Sequence, residues 1–325
     1  KNRPAILWKA MPKAEGRYSQ YKEIDLAART AAASPLELVL VLLCFFTAML
    51  ITNDVALITF VPFAVLVLGL IGRTEYLAPL VVLQTMAANL GSMATPVGNP
   101  QNLYLFSYYG LSTKTFFSAM LPPFILSTVL ILLCCLVFPK EQLSVPEAQA
   151  TVDSRQAAIY GGLFCLAVAM VLRLVPYVLG LTVIVLALWF LDRHALKTVD
   201  WGLLATFAAF FTFSGNLARM EAVHILFARL LSHGTMLVSA LTCQIISNVP
   251  AAILLSRFTQ DACGLLVGVN VGGAGTLVAS LASLITFREY TRRVPNGGKR
   301  FLFLFSGTSF AFLAILLTAM SVLGW

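Results

Sequence analysis

From residue 36 onward the chain is a succession of long apolar runs separated by short polar or charged connections. A membrane-spanning helix needs about 20 mostly apolar residues. Runs of that kind, bounded by charges, predict seven crossings at 76–110, 115–138, 157–175, 176–191, 201–218, 261–287 and 301–323. The first is long and interrupted by Gly and Pro, and the fourth is short. Two further segments, 36–71 and 235–259, are each a pair of apolar arms around a polar break. The break is Thr52-Asn53-Asp54 in the first and Ser247-Asn248 in the second. Read as two thin spans or as a re-entrant hairpin, each segment returns to the side it left. Residues 219–234 read as an amphipathic external arm. The predicted fold class is an all-α polytopic membrane protein.

Composition agrees with the pattern. Of 325 residues, 59% are apolar and 36 (22+14) are charged, or 11%, against roughly 25% charged in a typical soluble domain. That excludes a soluble enzyme or nucleic-acid-binding domain, although the isoelectric point is 9.3 and the mean hydropathy +0.88. The basic residues sort by side instead. With the N-terminus cytoplasmic, inside segments hold seven Lys and Arg in 1–34, then Arg73, Lys140, Arg155, Arg193, Lys197, Arg288, Arg292, Arg293, Lys299 and Arg300, making 17. The outside holds five: Lys114, Arg173, Arg219, Arg229 and Arg257. Such an excess marks the cytoplasmic side and predicts a multi-pass protein of the cell (inner) membrane with no nucleic-acid partner. Residues 1–34 contain no apolar run of the signal-peptide kind. The six cysteines (Cys44, Cys134, Cys135, Cys165, Cys243, Cys263) show no metal-ligand spacing and read as small hydrophobes.

An internal repeat reorganises this list. Residues 89–103 (NLGSMATPVGNPQNL) and 270–284 (NVGGAGTLVASLASL) share Asn89/Asn270, Gly91/Gly272, Thr95/Thr276, Val97/Val278 and Leu103/Leu284 at a constant offset of 181 (270−89). Upstream, ITNDVALI (51–58) aligns with ISNVPAAI (246–253) at an offset of 195 (248−53), with Asn53/Asn248 identical and Thr52/Ser247 keeping a hydroxyl. The organisation predicted is a polar cytoplasmic segment 1–34, a first repeat 35–139, a cytoplasmic linker 140–156 and a second repeat 157–325. In this topology the first hairpin opens from the cytoplasm and the second from outside, so the units are inverted. Inverted repeats with broken helices at the midplane are the architecture of secondary transporters.

The breaks themselves carry the candidate chemistry. Non-helical backbone survives in a membrane only where it is buried in protein or lines a wet cavity. Asn amides both donate and accept, hydroxyls and unwound carbonyls are hard oxygen ligands, and helix N-termini attract anions. A lone Gly/Pro kink would read as packing and a lone Asn as interhelical glue; their recurrence in one order favours a site. The candidate substrate- and ion-binding residues are Thr52, Asn53, Asp54, Thr95, Gly98, Asn99, Asn102, Ser247, Asn248, Asn270, Gly275, Thr276, Ser280 and Ser283. Asp54 reads as the acid set deep in an apolar segment, able to bind a coupling proton or sodium or else to cap a hairpin arm. Arg173, next to Pro176, reads as a snorkelling residue, and His194, His224 and His233 as solvated connections.

TND at 52–54, TPVGNPQN at 95–102, SNV at 247–249 and NVGGAGTLVASLASL at 270–284 together resemble the ion transporter superfamily. The pattern is most similar to its ArsB/NhaD group (arsenite permease and citrate transporter-like proteins), in the branch of YbiR-like anion permeases, and covers roughly residues 36–323. The resemblance implies a scaffold part and a transport part with elevator-type motion, dimerising through the scaffold in a homodimer. It implies two half-sites, each a candidate for sodium: Thr52, Asn53 and Gly98 in one, Ser247, Asn248, Gly275 and Thr276 in the other. The substrate would sit between Asn53 and Asn248, near Asn99, Asn102, Ser280 and Ser283. One departure is that three spans precede the second hairpin and none the first, so the first half is expected to lack its scaffold helices.

The function expected is secondary active transport of a small anionic solute, an oxyanion or carboxylate, coupled to protons or sodium, with no other cofactor. The alternative is a sodium/proton antiporter of the NhaD type. A passive channel is a weaker reading, and an intramembrane enzyme is weaker still because the spans hold no catalytic pair or HExxH.

Overall fold

A computed structural model describes residues 36–70, 72–138, 154–197, 199 and 201–325. The N-terminal segment 1–34, nearly all of the linker 140–156 and Asp200 lie outside the described residues. Everything described is helix and connection, as the composition requires of a chain that must satisfy its backbone inside a bilayer.

Two hairpins and two broken helices make the centre. The first hairpin pairs α1 (Leu36–Ile51) with α2 (Asn53–Leu70), and the second pairs α11 (Thr235–Ile246) with α12 (Asn248–Leu255). Each turns on one residue outside the helical region: Thr52 at φ 74° and Ser247 at φ 73°. Neither is Gly, and such a backbone costs on the order of 1–3 kcal/mol, so tertiary contacts hold both tips. The following Asn stabilises each restart. Its side-chain oxygen accepts from the next backbone N–H, Asp54 at 3.0 Å and Val249 at 2.9 Å.

The first broken helix runs as α3 (Leu77–Gly91), a short 3₁₀ turn and an extended stretch, then α4 (Pro100–Tyr108). Asn99 caps α4 by accepting from the Asn102 N–H at 2.9 Å, and Pro100 opens the first turn. That is why the Asn-Pro-Gln-Asn run restarts a helix rather than prolonging a coil. The second broken helix is α13 (Ala262–Val271), capped by Asp261, followed by an irregular stretch and α14 (Leu281–Arg293). The reading at 261–287 therefore falls six residues short of the helix end.

α3 is buried almost throughout and packs against α1, α2, α14, α15 (Gly298–Val322) and α5 (Thr113–Cys135). Its polar residues Gln84, Thr85 and Asn89 are thereby kept out of lipid, where they would be costly. By length and composition, three described stretches can each cross a membrane: Thr74–Ala94, Thr113–Cys135 and Gly298–Val322. The remaining helices are peripheral. α6 (Ser154–Val171) and α7 (Tyr177–Leu191) pack on each other, and α9 (Trp201–Leu217) packs on α12. The short α8 (Arg193–Lys197) follows α7, and the amphipathic α10 (Glu221–Leu231) meets α11 at 117°. Just past the end of α7, Asp192 accepts from the Tyr160 hydroxyl of α6 at 2.5 Å, which holds that carboxyl below the usual carboxylate range.

Two polar placements differ from the sequence reading. Arg173 does not simply snorkel: its Nη2 donates to the Phe106 carbonyl at 3.0 Å and its guanidinium lies 5.2 Å from the Phe106 ring centre. It thereby caps the end of α4 and joins the α6–α7 turn to it. Nor is Asp54 the most deeply set acid. Glu37, at the start of α1, is wholly buried, 3.4 Å from Arg73 Nη1. Local reading placed Glu37 at the edge of an apolar run, and only the return of α2 brings Arg73 over it.

Candidate functional site

The hairpin tips and the broken helices meet at the middle of the molecule. Thr52 ends α1 in a positive-φ turn, and the Asn53 N–H donates to the Gly98 carbonyl at 3.2 Å. Gly98 is required there: a Cβ would come within 2.1 Å of the Ser92 carbonyl oxygen. Thr95 donates to the Met49 carbonyl, fixing the unwound stretch to the end of α1.

The second half repeats these contacts. Thr276 donates to the Gln244 carbonyl at 3.0 Å; Thr95 and Thr276 differ by 181, and Met49 and Gln244 by 195. Gly91 and Gly272 are the close-approach points, where a Cβ would lie 2.5 Å from the Phe45 oxygen and 2.7 Å from the Ala240 Cα. Phe45 and Ala240 again differ by 195. The carbonyl beside the second tip is that of Ala279, which accepts from the Ser247 hydroxyl at 3.4 Å. Ala279, not Gly275, is thus the counterpart of Gly98 (279−98=181). Gly275 packs against the Gln244 side chain, whose Oε1 accepts from the Thr276 N–H at 2.8 Å.

Between the halves lies a reciprocal amide–hydroxyl network. Asn89 accepts from Ser280 at 2.9 Å and donates to Ser283 at 3.1 Å. Asn270 accepts from Asn99 at 3.1 Å and donates to Asn102 at 2.6 Å. Position 89 meeting 280 and 283 is matched by position 270 meeting 99 and 102, each partner shifted by 181. Asn53 joins the first group, donating to Asn89 Oδ1 at 3.1 Å. Asn102 also donates to the Thr95 carbonyl at 3.0 Å.

A cavity of about 230 Å³ lies between the two tips. It is lined by Asn53, Asp54, Pro100, Gln101, Ser247, Asn248, Val249, Pro250, Leu281 and Leu284, with Ile246, Val278 and, from α9, Thr206 and Phe210. Each of α2, α4, α12 and α14 begins at this cavity. Four helix N-termini, each worth a fraction of a positive charge, therefore surround one space. Among the described residues that line it, none is Lys or Arg, and Asp54 is the acid.

The structure brings Asn53, Asp54, Ser247 and Asn248 to the cavity. It sets Asn99, Asn102, Asn270, Ser280 and Ser283 in the buried network instead, and Thr95, Gly98, Gly275 and Thr276 in the supports of the tips. The residues read as near the substrate face the partner helix, because capping and interhelical bonds occupy their polar atoms. Sequence reading missed Asn89 and Gln244 as supports and Gln101, Thr206 and Phe210 as lining. Asn89 stood in the repeat alignment and was the legible one; Gln244 lies outside both motifs. Among the described residues no group of three or more His, Cys, Asp or Glu is arranged for a metal ion.

A family model described as "Citrate transporter" (CitMHS) matches residues 24–264. An uncharacterized transporter of Methanocaldococcus jannaschii is 33% identical over 288 residues, covering 88% of this chain and 79% of that protein. The inner membrane protein YbiR of Escherichia coli is 31% identical over 276 residues, covering 81% of this chain and 72% of its own length. A low-affinity phosphate transporter of Saccharomyces cerevisiae, PHO90, is 32% identical over 107 residues, 31% of this chain and 12% of that one.

Proposed function

The chain belongs to the citrate transporter (CitMHS) family of membrane transporters, and from that premise we propose that it is a secondary active transporter of a small anion, an oxyanion or carboxylate. The observation that carries the reading is the ring of four helix N-termini around a cavity whose described lining has no basic side chain. Backbone dipoles and amides stabilise an anion there without a fixed cation. The description of the family model and the phosphate transporter among the relatives support an anionic substrate.

Asp54 gives the reason for coupling. An ionised carboxylate beside a bound anion repels it, so loading is favourable only when a proton or sodium accompanies the substrate. The inverted repeat is supported by the reciprocal contacts at offsets of 181 and 195, and short re-entrant arms by α11 and α12, whose 12 and 8 residues span about 18 and 12 Å. Neither arm of that length crosses a hydrocarbon core of about 30 Å. Two sides related in this way suit alternating access, with the tip-bearing elements moving against the peripheral helices in an elevator-type step.

The test is uptake of phosphate and of citrate into proteoliposomes under imposed sodium and pH gradients. Accumulation driven by one of these gradients, and lost in Asp54→Asn, is the expected result. Anion uptake indifferent to both gradients would overturn the coupling. Exchange of sodium for protons without any anion, abolished by Asp54→Asn, would instead identify an antiporter.

A further inference from the structure

We infer that Arg288 and Arg292 form a second oxyanion site, set at the mouth of the path between the cytoplasmic face and the cavity at the hairpin tips. α2 and α14 both begin at that cavity and pack side by side as they leave it. A separate cavity of about 360 Å³ lies between them, lined by Ile58 of α2 and by Ile285, Arg288, Glu289 and Arg292 of α14. Arg288 lies seven residues beyond Leu281 and Arg292 eleven, which is about 10 and 16 Å along the helix.

The charges there are unbalanced. Glu289 is engaged by Arg293 at 2.8 Å, and among the described residues neither Arg288 nor Arg292 has an acidic partner. Like charges one helical turn apart slightly destabilise a helix, and an anion in the space they face would relieve that repulsion. Two guanidinium forks over one cavity match the geometry of phosphate and carboxylate oxygens.

The opposite side of the molecule supplies the contrast. At the offset of 181, Ile285, Arg288 and Glu289 correspond to Tyr104, Ser107 and Tyr108 on α4, and Arg292 to Leu111 just beyond it. α4 packs along α12 as α14 packs along α2. There the gap is closed: Tyr104 and Ser256 share a hydrogen bond at 2.8 Å, and Tyr109 donates to the Thr259 carbonyl at 2.9 Å. Arg257 on that side lies over the Tyr108 ring at 5.2 Å. A positive-inside bias explains basic residues on one face, but not their placement over a cavity between the two helices that begin at the central one.

The site takes an oxyanion group, either from a soluble anion on its way to or from the tips or from an anionic lipid headgroup. The first source rests on the anion-carrier reading above. The test uses the full chain in phosphatidylcholine nanodiscs, titrated with inorganic phosphate at low and high salt, in wild type and in the Asn248→Ala background that weakens the central site. The expected result for Arg288→Gln/Arg292→Gln is phosphate affinity lower by about tenfold at low salt, at the lower end of what a one-sign cleft supplies. Arg288→Lys/Arg292→Lys, which keeps the charge but loses the forks, should fall between wild type and the Gln variant and controls for folding. If phosphate affinity is unchanged but phosphatidylglycerol that copurifies with wild type is lost from the Gln variant, the site stands and its occupant is a lipid. Equal phosphate affinity and equal lipid retention in wild type and the Gln variant overturn it. Because binding is read and not flux, a failure of the carrier reading would show separately, as absent uptake by the wild type.

Discussion

At the scale of single residues, the polar side chains of the breaks divide into two kinds. Asn270 is 1% exposed and joins Asn99, Asn102 and the Leu266 carbonyl. Asn248 lines the cavity, and its oxygen serves the turn. Truncating a buried amide that leaves partners unsatisfied costs about 1–3 kcal/mol. Asn270→Ala is therefore expected to lower the melting temperature in detergent by several degrees. Asn248→Ala, which loses one turn bond, should lower melting by less and abolish the stabilisation that substrate gives. Equal melting shifts for the two would contradict the division. Ser247, at φ 73° and ψ 158°, occupies a region nearly reserved for glycine, which fits a tip held by its surroundings.

At the scale of elements, the first hairpin is closed at its base by Glu37 and Arg73. The carboxylate oxygens have no hydrogen-bond partner among the described residues, and the guanidinium lies 4.7 Å from the Tyr76 ring centre. Breaking a buried pair by removing one partner typically costs about 3–5 kcal/mol, whereas replacing both is far milder. Glu37→Gln and Arg73→Gln should each destabilise the protein strongly, and the double variant less than the sum, in a double-mutant cycle read by thermal denaturation. Additive effects would show that the two side chains do not interact. Element boundaries were largely legible in the sequence, since hairpin breaks, Asn-Pro restarts and charged connections are local signals. The rotation of each helix about its axis was not. It decides that Gln101 faces the cavity while Asn99 and Asn102 face Asn270.

At the scale of the whole molecule, the two halves interlock through contacts that repeat at fixed offsets, while α6, α7 and α9 stay at the periphery. Their apolar surfaces, including Phe190 at 78% and Val178 at 79% exposure, suit lipid. The topology proposed from the charge bias puts the connection before α15 in the cytoplasm and the α10–α11 connection outside. Introduced cysteines test it, with the native ones replaced. In intact cells, His233→Cys should react with an impermeant maleimide, and Lys299→Cys only after permeabilisation. The reverse pattern would invert the assignment and move the arginine pair to the outer face.

The sequence by itself determined the membrane class, the positions of the breaks and the correspondence between halves. These follow from hydrophobic run length, from residues that cannot continue a helix in lipid, and from repetition, all of which are local or one-dimensional. Only the tertiary structure decided that Glu37 meets Arg73, that Gln244 supports the second unwound stretch, and that Asn89 and Asn270 reach into opposite halves. It also decided that α9 supplies Thr206 and Phe210 to the cavity and that one flank is sealed by tyrosines while the other opens beside two arginines. Those facts depend on which helices touch and which faces they turn to one another. Packing over separations from 32 residues (Gln244–Thr276) to 191 (Asn89–Ser280) sets them, and no spacing along the chain encodes it.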